Sequence, residues 1–165
     1  MSRVLRWRGH AWLAAPVRWY LGGLFLLACW HKIADPGAFA LDVATYDLLP
    51  LVLVNLMALV LPWVELAAAL LLLAGLRVRP AALLVSAMMV MFLLALATAL
   101  ARGLDMSCGC FAAQGADQDP ISAATLVRDL VWLGLSLYVV AFDRSLLGLD
   151  RLLAARTKAR AAEGG

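Results

Sequence analysis

Charge is scarce in this sequence, because Asp, Glu, Lys and Arg make up 15% of its 165 residues while hydrophobic residues make up 65%. A soluble domain cannot hide that much apolar surface. A four-helix bundle in water would need a polar face on each helix, and the apolar runs 66–76 and 81–100 have almost none. The composition therefore excludes an ordinary water-soluble domain.

Other features are also absent. No internal repeat is visible in the sequence. Residues 1–15 are rich in Arg but lack an uninterrupted apolar stretch followed by a cleavage site, so we expect no cleaved signal peptide. The basic residues are dispersed and accompany no nucleic-acid-binding motif, so the net charge of +3 does not indicate a nucleic-acid partner.

Four apolar segments are long enough to cross a membrane, for which roughly 20 residues are needed. They lie at about 17–34, 51–76, 80–101 and 121–142. In lipid the backbone must form its hydrogen bonds within each segment, so the segments are predicted to be helices. The sequence therefore predicts an all-α integral membrane four-helix bundle that forms a single domain over residues 1–165.

The distribution of basic residues predicts the orientation of the bundle, because Lys and Arg near the span ends favour the cytoplasmic side. Eleven of the 14 basic residues lie in the N-terminal arm, between the second and third spans, and in the tail 143–165. The loops 35–50 and 102–120 are mainly acidic. We expect a multi-pass protein of the inner (cytoplasmic) membrane, N-in and C-in, with both of these loops outside.

Two segments beside the spans have an amphipathic pattern. Residues 38–49 alternate apolar and polar side chains, which predicts a short helix on the outer membrane surface that could form a lid over the bundle. In the tail, Leu residues recur at helical spacing between Arg residues, which predicts a C-terminal helix on the inner surface, held by anionic lipid.

Ionisable residues within or near the spans are the next candidates, because such residues face the bundle interior or a wet cavity. Glu65 and Arg128 could form a salt bridge that fixes helix packing, or a polar pocket for a redox-active head group such as a quinone. His31 could serve an interfacial hydrogen bond or a functional role near neutral pH. The neighbouring Trp30 and Lys32 are predicted to be an interfacial anchor and a snorkelling side chain.

The pair Cys108 and Cys110 lies in the second outer loop, facing a compartment where disulfides form and persist. A disulfide across one intervening residue is strained, and Gly109 relieves part of that strain. Strained, exposed disulfides are the labile ones, so the spacing favours a bridge that is made and broken. A metal site completed by Cys29 and His31 and a pair without a redox role remain as alternatives.

Several short motifs give the chain a family resemblance. They are Leu21-Gly22-Gly23 after Arg18, His31-Lys32 before Asp35-Pro36, Leu48-Leu49-Pro50, Pro62-Trp63-Val64-Glu65-Leu66, Cys108-Gly109-Cys110-Phe111 and Arg128-Asp129. In these motifs the chain resembles the MauE/DoxX family of small four-helix membrane proteins, and specifically its methylamine-utilisation MauE branch. It departs from the family at Ala112, where Gly is frequent.

The resemblance implies a redox-associated membrane protein, similar in role to the quinone-linked proteins that form disulfides in a periplasmic or secreted partner. We therefore predict a thiol–disulfide oxidoreductase in which Cys108 and Cys110 exchange electrons with an extracytoplasmic thioredoxin-fold or disulfide-containing protein. A membrane quinone would bind near His31, Glu65 and Arg128. The alternatives are a non-catalytic membrane anchor or assembly subunit of a redox complex, and a metal-binding membrane protein.

Overall fold

A computed structural model describes residues 10–104, 122–143 and 148–149, and within these ranges all regular structure is helical. The helices are α1 (His10–Ala34), α2 (Pro36–Thr45), α3 (Leu51–Ala74), α4 (Val78–Ala101) and α5 (Ala123–Phe142). All of them except α2 are long and apolar enough to cross a membrane. The prediction of an all-α membrane bundle with four spans is confirmed. Cys108, Cys110 and most of the predicted tail helix lie outside the described residues.

The four long helices form a ring in which each packs against two others. Helix α1 packs against α3 and α5, and α4 likewise packs against α3 and α5, so α3 and α5 lie on a diagonal of the bundle. Close packing of α1 on α3 depends on small residues, because a Cβ atom on Gly22 would lie 3.3 Å from the carbonyl oxygen of Ala69. The short helix α2 packs mainly against α3.

Helix α1 starts seven residues before the predicted first span, at His10 instead of residue 17. The His10 ring stacks on Phe142 with centroids 4.5 Å apart, and its Nδ1 lies 2.9 Å from the hydroxyl of Tyr138. These contacts hold the first turns of α1 against α5, although Pro16 removes one backbone hydrogen bond there. Hydropathy marks the apolar part of a helix and misses such an extension.

Local capping signals set the other helix ends. The Asp35 side chain accepts a hydrogen bond from the backbone N–H of Ala38, and Pro36 occupies the first position of α2. In the same way, the Ser122 hydroxyl accepts from the backbone N–H of Thr125 at the start of α5. These caps place α2 directly after α1 and fix where α5 begins.

A buried ion pair joins α1 to the end of α5. Arg18 Nη1 donates to Asp143 Oδ2 over 3.3 Å, and the two side chains are 0% and 2% exposed. Helix α3 ends beside this pair at Gly75, which has φ of +67°. Gly148 lies against Gly75 so closely that neither residue has room for a side chain.

Replacing Gly75 with Ala should destabilise the protein more than the same change at Gly103. Both glycines have left-handed φ angles, +67° and +65°, so each substitution adds backbone strain of about 1–2 kcal/mol. Only at Gly75 would the new Cβ also meet another atom, the Cα of Gly148 at 2.5 Å, whereas nothing lies within 4 Å at Gly103. Unfolding titrations in mixed detergent micelles measure both losses, and equal losses would contradict the close contact.

Candidate site: an apolar cavity with a buried ion pair

The bundle contains a partly open cavity of about 970 Å³ lined by residues from all five helices. This volume lies at the upper end of the range of about 300–1,000 Å³ that is typical of small-molecule sites. Most lining side chains are apolar, and the polar exceptions include Lys32, Asp42, Glu65 and Asp129. The cavity combines a large apolar volume with a few ionisable groups, which is the usual composition of a ligand site.

Lys32 and Glu65 form an ion pair in the cavity wall. Lys32 Nζ lies 2.7 Å from Glu65 Oε1 and 3.0 Å from Oε2, and both side chains are about one-tenth exposed. Glu65 follows Leu51 by 14 residues and precedes Ala74 by 9, so it lies about 21 Å and 14 Å from the ends of α3. Glu65 therefore lies well within α3, whereas Lys32 reaches it from the last turn of α1.

This pairing corrects two predictions from the sequence. Glu65 binds Lys32 and not Arg128, because α3 and α5 are on opposite corners of the bundle and α1 lies beside α3. Lys32 does not snorkel toward the surface, because its side chain turns inward to Glu65. Its neighbour Trp30 is 69% exposed, in keeping with a side chain that faces lipid.

Helix α2 forms one wall of the cavity near this pair. The Phe39 ring lies 4.9 Å from Lys32 Nζ, close enough for a cation–π contact. Asp42 also lines the cavity. Burial raises the pKa of the Asp42 carboxyl above its ordinary value, and the positive charge of Lys32 lowers this pKa by a smaller amount. The amphipathic segment predicted as a lid is thus an integral part of the cavity wall.

The stability contributed by Asp42 should fall as the pH rises. Its pKa in the folded protein is raised, so this contribution is fully present below the unfolded value of about 3.9 and is lost as the pH rises through the folded pKa. We therefore expect the free energy of unfolding of the unaltered protein to fall, relative to that of Asp42→Asn, as the pH rises above about 4. Parallel pH profiles of the two proteins would contradict this assignment.

A second group of polar side chains, from α5, lies on another side of the cavity. Asp129 is fully buried and lines the cavity together with Trp132. Arg128 Nε donates to Asp129 Oδ1 over 3.3 Å, and the Arg128 guanidinium lies 4.8 Å from the Trp132 ring centroid. Trp132 Nε1 in turn donates to the Tyr20 hydroxyl over 3.2 Å. These contacts hold Asp129 and Trp132 toward the cavity.

The end of α4 is fastened to the end of the α2 segment. Arg102 donates to the carbonyl oxygen of Tyr46 over 3.0 Å and to the Asp47 carboxylate over 3.1 Å. Tyr46 also lines the cavity. Cys108 and Cys110 follow Arg102 by six and eight residues, so the cysteine pair is tied through the chain to the end of the bundle where α2 lies.

The sequence-predicted residues are thus only partly brought together. Glu65 lines the cavity, whereas Arg128 contacts it through Asp129 and Trp132, and His31 is exposed and does not line it. Cys29 is buried and donates its thiol to the carbonyl of Leu26 within its own helix. Across the described ranges 10–104, 122–143 and 148–149, no three His, Cys, Asp or Glu residues cluster in a way that could hold a metal ion.

Lys32 and Asp129 line the cavity but were not among the residues predicted to bind a quinone, although helical spacing indicated both. Lys32 follows Phe25 by seven residues and Cys29 by three, and both of those are buried, so the three share one helix face. Asp129 likewise lies four residues after Thr125 and three before Trp132, on the buried face of α5. In the sequence, helical spacing from Phe25, Cys29 and Trp132 was the signal that could have identified them. Distance from a helix end was not.

Comparison with known proteins assigns the chain to a family. The family model described as methylamine utilisation protein MauE matches residues 10–142. A protein of Methylophilus methylotrophus named methylamine utilization protein MauE is 36% identical over 121 residues, which are 72% of this chain and 63% of that relative. No solved structure matches the chain significantly. The resemblance to MauE is confirmed, and the chain belongs to the MauE family of membrane proteins.

Proposed function

We propose that this protein is a membrane-embedded thiol–disulfide oxidoreductase that uses the Cys108/Cys110 pair and a quinone held in the cavity. The observation that carries the proposal is the cavity itself, a large apolar volume within the bundle with ionisable groups in its wall. A lipid-soluble molecule with an apolar tail and a polar, redox-active head group matches that composition.

The proposed reaction balances without a further reactant. The thiols of Cys108 and Cys110 lose two electrons and two protons and form one S–S bond. The quinone takes up the two electrons and two protons and leaves as the quinol. The disulfide is then passed by thiol–disulfide exchange to a substrate protein, which restores the two thiols.

The position of the cysteine segment supports this transfer. The segment runs from Leu104, beyond the end of α4, to Ser122 at the start of α5. Asp129 follows Ser122 by seven residues, a rise of about 10 Å along α5, and lines the cavity. Both ends of the cysteine-bearing segment therefore join helices that form the cavity.

The proposal also specifies the membrane, the side of it on which the cysteines react, and the protein partner. The charge distribution favours an inner-membrane protein with cytoplasmic termini, and in that orientation the cysteine pair would face the oxidising side. Its protein partner there would be a thioredoxin-fold or disulfide-containing protein. The relative from Methylophilus methylotrophus is named for methylamine utilisation, and we extend that process to this chain.

The test is quinone-dependent thiol oxidation by the purified protein in lipid nanodiscs. A reduced thioredoxin-fold protein is supplied together with a soluble-tailed ubiquinone, and quinol formation is followed by its absorbance. Cys108→Ser and Cys110→Ser are each expected to reduce the rate to the background of empty nanodiscs, because neither protein can form the intramolecular disulfide.

Cys29→Ala is the matched control. It removes the remaining cysteine of the chain, whose thiol is buried and bonded within its own helix, and it should leave the rate unchanged. Full activity in both Cys108→Ser and Cys110→Ser would overturn the role of the cysteine pair. A rate of the unaltered protein no higher than that of empty nanodiscs would overturn the proposal and favour a non-catalytic anchor.

A further inference from the structure

The Lys32–Glu65 ion pair carries a large desolvation cost in free energy at its position in the bundle. Both groups are largely removed from solvent and lie within spans of an apolar bundle. Burial removes the solvation free energy of both charges, and the attraction between them barely offsets that loss. Two apolar side chains of similar volume would pack at least as well. Helix packing alone therefore gives no reason for charges at this point of the cavity wall.

The pair still has hydrogen-bonding capacity toward the cavity. A Lys ammonium has three N–H groups, and Lys32 directs its Nζ to the two oxygens of Glu65. Within the part of the chain that the structure describes, Lys32 has no other hydrogen bond. The carboxylate of Glu65 has further acceptor sites beyond those that Lys32 occupies. A donor and an acceptor are thus presented together in an otherwise apolar wall.

We propose that Lys32 and Glu65 bind the ring of a prenyl-tailed p-quinone, with the tail in the apolar remainder of the cavity. Lys32 donates to a carbonyl oxygen of the quinone, and Glu65 accepts from the corresponding hydroxyl of the quinol. The ion pair carries no net charge, which suits an uncharged ring better than a charged lipid head group. This inference rests on the proposed function and specifies where its quinone binds.

The rest of the cavity suits a long flexible tail. Met57, Met88, Met89 and Met91 all line it, and methionine side chains adapt their shape to apolar ligands. Leu94 also lines the cavity and is 64% exposed on the bundle surface. The cavity therefore reaches the lipid-facing surface near Leu94, where a ligand dissolved in the bilayer can enter.

The test compares binding by the unaltered protein with binding by Lys32→Met/Glu65→Met. This double variant replaces both charges with apolar side chains, so it should fold, which its thermal unfolding midpoint checks. Calorimetric titration of decylubiquinone into nanodiscs, with empty nanodiscs as the baseline for partition, gives the two dissociation constants. We expect the constant of the double variant to be about tenfold higher or more, which corresponds to about 1.4 kcal/mol.

Two further probes separate ring recognition from a change in cavity shape. Decylbenzene has a ring and a tail but no oxygen atoms, so the unaltered protein and the double variant should bind it equally. The exchanged variant Lys32→Glu/Glu65→Lys keeps one donor and one acceptor and should bind decylubiquinone within a few-fold of the unaltered protein. Loss of decylbenzene binding in the double variant would overturn the inference.

The outcomes also distinguish this inference from the proposed function. Equal binding of decylubiquinone by the unaltered protein and the folded double variant would overturn the role of Lys32 and Glu65 and leave a quinone elsewhere in the cavity. Absence of decylubiquinone binding by the unaltered protein would overturn the proposed function as well.

Discussion

Replacing Glu65 alone with methionine is expected to lower the free energy of unfolding by about 3–5 kcal/mol, because the variant leaves the ammonium of Lys32 in an apolar wall without its carboxylate. The pair lies at 2.7 Å with both side chains largely buried. Lys32→Met should cost a similar amount for the same reason. Unfolding titrations with SDS in mixed micelles measure each loss directly.

The double variant Lys32→Met/Glu65→Met should recover most of this loss. Replacing a buried ion pair by apolar residues of similar volume is often neutral or stabilising by about 1–4 kcal/mol. The two single losses therefore should not add, and the coupling energy from the double-mutant cycle should be several kcal/mol. Additive losses would show that the two charges act independently, in conflict with the geometry of the pair.

Replacing Arg18 with methionine should cost about 3–5 kcal/mol of unfolding free energy. The variant removes a fully buried guanidinium and leaves the Asp143 carboxylate, itself 2% exposed, without this cation. The loss should appear at the joint between α1 and the end of α5, where Gly75 and Gly148 also meet. Hydrogen exchange near Gly75 would rise together with the fall in global stability.

Arg102→Met is the matched control for Arg18. Arg102 also pairs with an aspartate, Asp47, but their side chains are 42% and 83% exposed. An exposed ion pair contributes roughly 0–1 kcal/mol, so the same substitution should cost far less at this position. Equal losses for Arg18→Met and Arg102→Met would mean that burial does not govern the strength of these pairs.

The spans were predictable because hydrocarbon imposes a length and a composition on any helix that crosses it. The predicted span 51–76 and helix α3, Leu51–Ala74, share their start and differ by two residues at the end. The difference arises at Gly75, whose left-handed φ ends the helix before the apolar run ends. At α1 the error was larger, because contacts of His10 with α5 extend the helix past its apolar part.

The candidate site was predictable as a set of residue types but not as a set of pairs. The presence of Glu65 within a span indicated that it needs a partner, yet the choice between Lys32 and Arg128 depends on which helices are neighbours. Hydropathy carries no information on the order of helices around a bundle. The buried pair of Arg18 and Asp143 was missed for a related reason, since both residues lie at span ends, where charges ordinarily meet water.

The contacts of Arg102 join the α2 connection to the end of α4. Arg102 ends α4 and holds Tyr46 and Asp47, while the chain that follows it carries Cys108 and Cys110. These contacts connect the end of α4, which precedes the cysteine-bearing segment, to Tyr46 in the cavity wall. In the proposed function, a protein that binds the cysteines would bind a segment that begins at a residue bonded to the cavity wall.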